Sequence, residues 1–95
     1  MLESEIEKYL VKRVKQIGGK AYKFTSPAHR GVPDRILVLP RGHVVFCEVK
    51  NERGKLSALQ QIELQWMKSL GHRVAVVYSI EDVNALMEYI DEFCG

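Results

Sequence analysis

Three charged side chains stand in the most apolar stretch of this sequence. Residues 31 to 50 read GVPDRILVLPRGHVVFCEVK, with Asp34 opening one hydrophobic run and Glu48 and Lys50 inside the next. Two carboxylates and an amine are a set that can hold a divalent cation and act on a phosphate. Oxygen ligands from one or two carboxylates, a backbone carbonyl such as that of Val49, and water suit Mg²⁺. Such a cation lowers the pKa of a water and neutralises charge developing on a phosphate. Lys50 would then stand beside that water or the scissile phosphate as an orienting group. The competing use of the same residues is a structural ion-pair trio. Either way Glu48 needs a cation, because an unpaired carboxylate within a core strand costs several kcal/mol.

Whether Asp34 and Glu48 meet depends on the elements that carry them. RILVL and HVVFCEVK are rich in β-branched residues and flank Pro40-Arg41-Gly42, a turn signal, so they form a β-hairpin. A three-residue turn centred on Arg41 sets Asp34 directly opposite Glu48, with Cβ atoms roughly 4.5–5.5 Å apart. A two-residue turn sets Asp34 against Val49 and sends the carboxylates to opposite faces. The sequence leaves both registers open. Along the second strand Val44, Phe46, Glu48 and Lys50 share one face, read as core-facing, and Val45, Cys47 and Val49 share the other.

The remaining elements follow from periodicity and caps. Leu2, Ile6, Tyr9, Leu10, Val14 and Ile17 recur at helical spacing until Gly18-Gly19 stops them, and AYKFT is a short strand. Ser57 and Gln60 form a capping box opening a second helix, whose inward residues are read as Leu59, Ile62, Trp66, Met67 and Leu70, with Gly71 as its stop. RVAVVY has no polar interruption and reads as a strand buried on both faces. Ser79 caps a last helix with Val83, Leu86, Met87, Ile90 and Phe93 inward. The expected fold is α/β in the order αβββαβα, a mixed four-stranded sheet flanked by helices, as one domain over residues 1–95.

Composition narrows the class. Charged residues make up 27% and hydrophobic residues 46%, ordinary globular values that argue against disorder. No run approaches the roughly 20 apolar residues of a membrane span. The two cysteines, Cys47 and Cys94, read as free thiols of a reducing compartment. The net charge of +2 is unevenly spread: residues 20–55 carry eight basic and three acidic groups, while residues 56–95 carry two basic and six acidic. A basic middle third makes a polyanion a plausible partner. Within it Ser26, His29 and Arg30 precede Asp34, and Lys23, Arg35, Arg53 and Lys55 extend the basic zone. As phosphate contacts these would give affinity and position but little sequence information; as solvated surface residues they would do neither. His43 and His72 lack partners at metal-ligand spacing.

PD followed by ExK one hairpin later resembles the signature of the PD-(D/E)xK nucleases, which have a restriction-endonuclease-like core. More narrowly, GGKAYKFTSPAHRGVPDRILVLPRGHVVFCEVK, then GKLSALQ, then LGHRVAVV closely resembles the stand-alone VRR-NUC domains encoded mainly by phages and bacteria. The similarity runs from Ile6 to about Tyr78. It implies that Asp34 and Glu48 are the metal-binding acids, joined by the Val49 carbonyl, with Lys50 as the catalytic lysine and Gln60 close to the site. It also implies an acid on the first helix, acting directly or through water; Glu7 fits best, and Glu3 lies one turn earlier on the same face. The cofactor would be Mg²⁺ or Mn²⁺.

The activity implied is metal-dependent endonucleolytic cleavage of DNA, in the cytoplasm of a bacterium or of a phage's host. Stand-alone members resemble Holliday junction resolvases and form homodimers. Branched DNA and a homodimer are therefore the leading expectation. Flap, gap or non-specific nicking is the second, and a DNA-binding module that no longer cleaves is the third.

Overall fold

Pro40, Arg41 and Gly42 decide how the sheet is built. A computed structural model describes residues 1–95. In it these three residues form a single 3₁₀ turn between β2 (Arg35–Val38) and β3 (Val44–Val49). Arg41 and Gly42 both take positive φ, 64° and 79°, which carries the chain round sharply enough for a three-residue loop. The Leu39 N–H donates to the His43 carbonyl at 2.8 Å and closes it. The antiparallel ladder that follows pairs Val38 with Val44 and Arg35 with Cys47. One step further along, Asp34 stands opposite Glu48. Of the two registers open in the sequence, the structure takes the convergent one.

Around this hairpin the order is α1 (Glu3–Gln16), β1 (Lys20–Lys23), β2, β3, α2 (Ala58–Ser69), β4 (Arg73–Val77) and α3 (Ile80–Cys94). The four strands lie in the order β1-β2-β3-β4. β1 is antiparallel to β2, and β4 is parallel to β3. The sheet is therefore mixed, with α2 as the crossover between its parallel strands. Ser57 and Gln60 do form the reciprocal capping box, at 3.1 and 2.9 Å, and Ser79 accepts from the Asp82 N–H at 3.1 Å. Each such cap stabilises its helix by about 1 kcal/mol. Gly71 ends α2 with a φ of +92°, a conformation that suits glycine.

The core lies on one face of the sheet. Ile6, Leu10 and Val14 of α1 meet Val83, Leu86, Met87 and Ile90 of α3 over Leu37, Val45, Cys47, Val49 and Val77. Cys47 is thus a buried free thiol, pushed up to about 12 by burial first and then by the nearby charges of Glu48, Asp34 and Glu7.

Three expectations are corrected here. The packed face of β3 is that of Val45, Cys47 and Val49, whereas Val44 is exposed and Phe46 half-buried. Alternation groups the residues correctly but does not say on which side two helices will pile. Second, β4 is an edge strand, and Arg73 to Val76 are only half-buried. Third, α2 touches the sheet through Leu64, its one buried side chain, with Met67 half-buried beside it. Leu59, Ile62, Trp66 and Leu70 face solvent instead, because α2 lies alone on the second face and has no further layer to pack against.

Candidate active site

The end of the β2–β3 hairpin gathers the charges. Asp34 sits just ahead of β2, and its Oδ2 accepts the Val49 N–H at 3.0 Å, which ties the loop to β3. Glu48 is only 2% exposed although it lies on the more open face of the strand. Two donors converge on its Oε2: the Gln60 side-chain amide at 3.0 Å and the Lys50 ammonium at 3.4 Å. Its Oε1 is buried and has no hydrogen-bond partner. A carboxylate oxygen in that position is costly, since a buried acceptor without a donor forfeits its hydration.

The electrostatics express the same strain. Burial pushes the Glu48 carboxyl up to about 7, and repulsion from Asp34 adds to the shift. Lys50 pulls in the opposite direction but does not cancel it. Two carboxylates facing each other across a hairpin, one with a bare oxygen, form a deficit of positive charge. A divalent cation with oxygen preference suits that deficit, and Asp34, Glu48 and the Val49 carbonyl are the groups at hand to hold it. No three His, Cys, Asp or Glu side chains are gathered as a metal site.

Gln60 joins the acid to a helix. Its amide oxygen accepts the Ser57 N–H in the capping box, while its amide nitrogen donates to Glu48. Both ends of one side chain are used, so the start of α2 and the Glu48 carboxylate are fixed relative to each other. The loop before Asp34 leans on the same helix. Gly31 has a φ of +93°, and a Cβ there would lie 2.7 Å from the Leu59 carbonyl oxygen. Only glycine permits that approach. His29 closes the contact with Glu63 at 2.5 Å. Glu63 escaped the sequence reading; its signal is the spacing of three from Gln60, one helical turn along the side of α2 that meets the loop.

Of the acids on α1, Glu3 is exposed and Glu7 is half-buried. The Glu7 carboxylate pairs with Arg35 at 2.7 Å, and Arg35 also donates to the Ala21 carbonyl at 3.1 Å. Arg35 is consequently turned inward, 14% exposed, and is spent on holding α1 to β1 rather than offered to a phosphate. Lys23, His29, Arg30, Arg53 and Lys55 are exposed, and Ser26 is half-buried. His29 is engaged with Glu63, so of these residues Lys23, Arg30, Arg53 and Lys55 are the exposed cations that make no ion pair.

Residues 3–81 match the VRR-NUC domain family. The chain belongs to that family. Its VRR-NUC fold is also close to that of a solved VRR-NUC domain, with a TM-score of 0.88 at 32% identity over 94% of this chain and 98% of the other. A protein of Acyrthosiphon pisum secondary endosymbiont phage 1, p44, whose name proposes a nuclease, is 43% identical over 89 residues. That match covers 94% of this VRR-NUC chain and 95% of p44, so the two have nearly the same extent. No helix is long and apolar enough to cross a membrane.

Proposed function

We propose that this VRR-NUC domain is a metal-dependent DNA endonuclease of the PD-(D/E)xK type, acting as a homodimer on branched DNA in the manner of a Holliday junction resolvase. The observation that carries the nuclease reading is Glu48: a buried carboxylate with an unpartnered oxygen, facing Asp34 and flanked by Lys50. Family membership and the likeness to p44 support the same chemistry.

Mg²⁺ or Mn²⁺ held by Asp34, Glu48 and the Val49 carbonyl would neutralise charge on the phosphate and ease deprotonation of a water at neutral pH. The chain's own groups do the rest. Gln60 and Lys50 hold Glu48 in one orientation, and the Val49 N–H holds Asp34. Lys50, 19% exposed at its side chain, can turn its remaining N–H donors toward a phosphate oxygen and stabilise the charge that builds there. Arg30, Lys23, Arg53 and Lys55 draw the DNA backbone in without reading bases. Glu7 would join the site only by leaving Arg35, directly or through water.

Junction selectivity rests on two considerations. A small α/β domain with one carboxylate pair suits recognition of DNA shape better than of sequence. Cutting two strands of a branch requires two sites in fixed relation, which a two-fold dimer supplies. The test is cleavage of a labelled four-way junction, a flap and a matched duplex at equal concentration with Mg²⁺ or Mn²⁺. Preferential, paired incision of the junction is expected. Equal cutting of all three would reject the resolvase reading and leave a general nicking nuclease.

A further inference from the structure

A groove runs between α1 and the edge strand β1. Two adjoining clefts of about 340 and 450 Å³ form it, and Val11 lies in the wall of both. Glu7, Lys8 and Arg35 line the first cleft, and Lys15 and Lys20 line the second. The first cleft opens beside the carboxylate pair, because Arg35 directly follows Asp34 in the chain. Lys8, Val11 and Lys15 are three and four residues apart, so they form one helical stripe along the groove.

The charge of this groove is uncompensated. Glu7 is the one acid in either wall, and Arg35 already neutralises it at 2.7 Å. Lys8, Lys15 and Lys20 are exposed and make no ion pair. Glu5, three residues before Lys8, turns its carboxylate to the Leu2 N–H at 3.1 Å. Two ordinary uses of surface lysine account for part of the pattern. Lys15 in the last turn of α1 complements the helix dipole. Lys20 on an edge strand discourages pairing with another chain. Neither use explains Lys8, which stands in the middle of the helix on the same stripe as Lys15.

We propose that this groove seats the phosphate backbone of one DNA arm and leads it to the carboxylate pair. The inference rests on the DNA-cleaving reading above and deepens it, adding Lys8 and Lys15 to the groups that meet the substrate. Its dimensions suit a backbone. The seven residues from Lys8 to Lys15 extend about 10 Å along the helix, over which one strand of B-DNA presents about three phosphates. No aromatic ring lines the groove, so bases have nothing to stack on and the contact carries no sequence information. Nor does it offer an apolar anchor for a protein partner, since Val11 and Ala21 are its only hydrophobic residues.

The test is binding without metal, read by fluorescence anisotropy of a labelled four-way junction between about 50 and 200 mM salt. Lys8→Gln/Lys15→Gln should bind more weakly, with a log–log salt slope shallower by about two and an unchanged far-ultraviolet dichroism spectrum. Lys8→Arg/Lys15→Arg keeps both charges and should keep the wild-type slope. Lys68→Gln, on α2 and outside the groove, should also leave the slope unchanged. A Gln double variant with the wild-type slope overturns the proposal. So does a Lys68→Gln slope shallower by about one, which would mean that charge acts wherever it lies. Displacement of the DNA by polyglutamate at equal charge would assign the groove to an acidic protein segment and overturn it as well. Cleavage is read separately. A wild type that binds with the expected slopes but cuts nothing with Mg²⁺ or Mn²⁺ keeps the groove and rejects the nuclease reading. A wild type that cuts, with no change of slope in the Gln double variant, rejects the groove alone.

Discussion

Glu48→Gln is expected to abolish cleavage and, at the same time, to stabilise the metal-free protein at neutral pH. The two effects have one cause. Glu48 is buried beside Asp34, and its carboxyl is raised from 4.5 to about 7. A raised carboxyl means that the folded state holds its proton more tightly than the unfolded chain. The associated stability is present below pH 4.5 and is lost as pH rises through about 7. Fully ionised, the group costs the fold on the order of 3 kcal/mol. Glutamine has the same shape and no charge. Its oxygen can accept from Gln60 and Lys50 where Oε2 does, and its amide N–H₂ can face Asp34 where Oε1 lies bare. In metal-free buffer the variant should therefore melt at a higher temperature than the wild type, by roughly 10 °C at pH 8, with the gap closing toward pH 5. Cleavage with Mg²⁺ should fall by about 10³-fold or more, the loss typical when a group stabilising charge in the transition state is removed. A variant as unstable as the wild type at pH 8 would show that the Glu48 carboxylate is not strained.

Asp34→Ala is the second large effect, and it separates binding from chemistry. In the proposed site Asp34 would offer a carboxylate to the metal, and it makes no ion pair of its own. Removing it should suppress cleavage by about 10³-fold. Affinity for DNA, read by fluorescence anisotropy with Mg²⁺ present, should stay within about threefold of wild type or tighten, since one negative charge leaves a site that receives a polyanion. Alanine also strips the Val49 N–H of its acceptor, which costs about 1–3 kcal/mol if nothing replaces it. Asp34→Asn keeps that acceptor and should lose cleavage without the loss of stability. Cleavage retained in Asp34→Asn would mean that the residue acts only by holding the loop to β3.

Much of this was legible before any coordinates, and the reasons are local. Pro40-Arg41-Gly42 marks the turn and narrows the hairpin to two registers; the observed pairing of Val38 with Val44 selects the one that puts Asp34 opposite Glu48. Ser57, Gln60, Gly71 and Ser79 mark helix ends because caps are made by neighbouring residues. The hidden features are those that depend on what lies across space. Periodicity finds the stripe Leu59, Ile62, Trp66 and Leu70 but cannot say whether the cover is this chain's sheet or another molecule, and Leu64 rather than the stripe proved to be the anchor. The uninterrupted apolar run of β4 suggested burial on both faces, yet a strand at the sheet edge can be equally apolar. The Glu7–Arg35 and His29–Glu63 pairs join residues 28 and 34 positions apart, beyond the reach of any local pattern.

Asp34 and Glu48 converging on one divalent cation is the claim on which the rest depends, and Mn²⁺ binding measures it without any cleavage. Calorimetric titration of Mn²⁺ into wild type, Asp34→Asn and Glu48→Gln at pH 8 should give saturable binding to the wild type. Each variant should bind at least about tenfold more weakly, the usual cost of disturbing a metal site. Either variant binding Mn²⁺ as tightly as the wild type would contradict a shared ion, and with it the site described above.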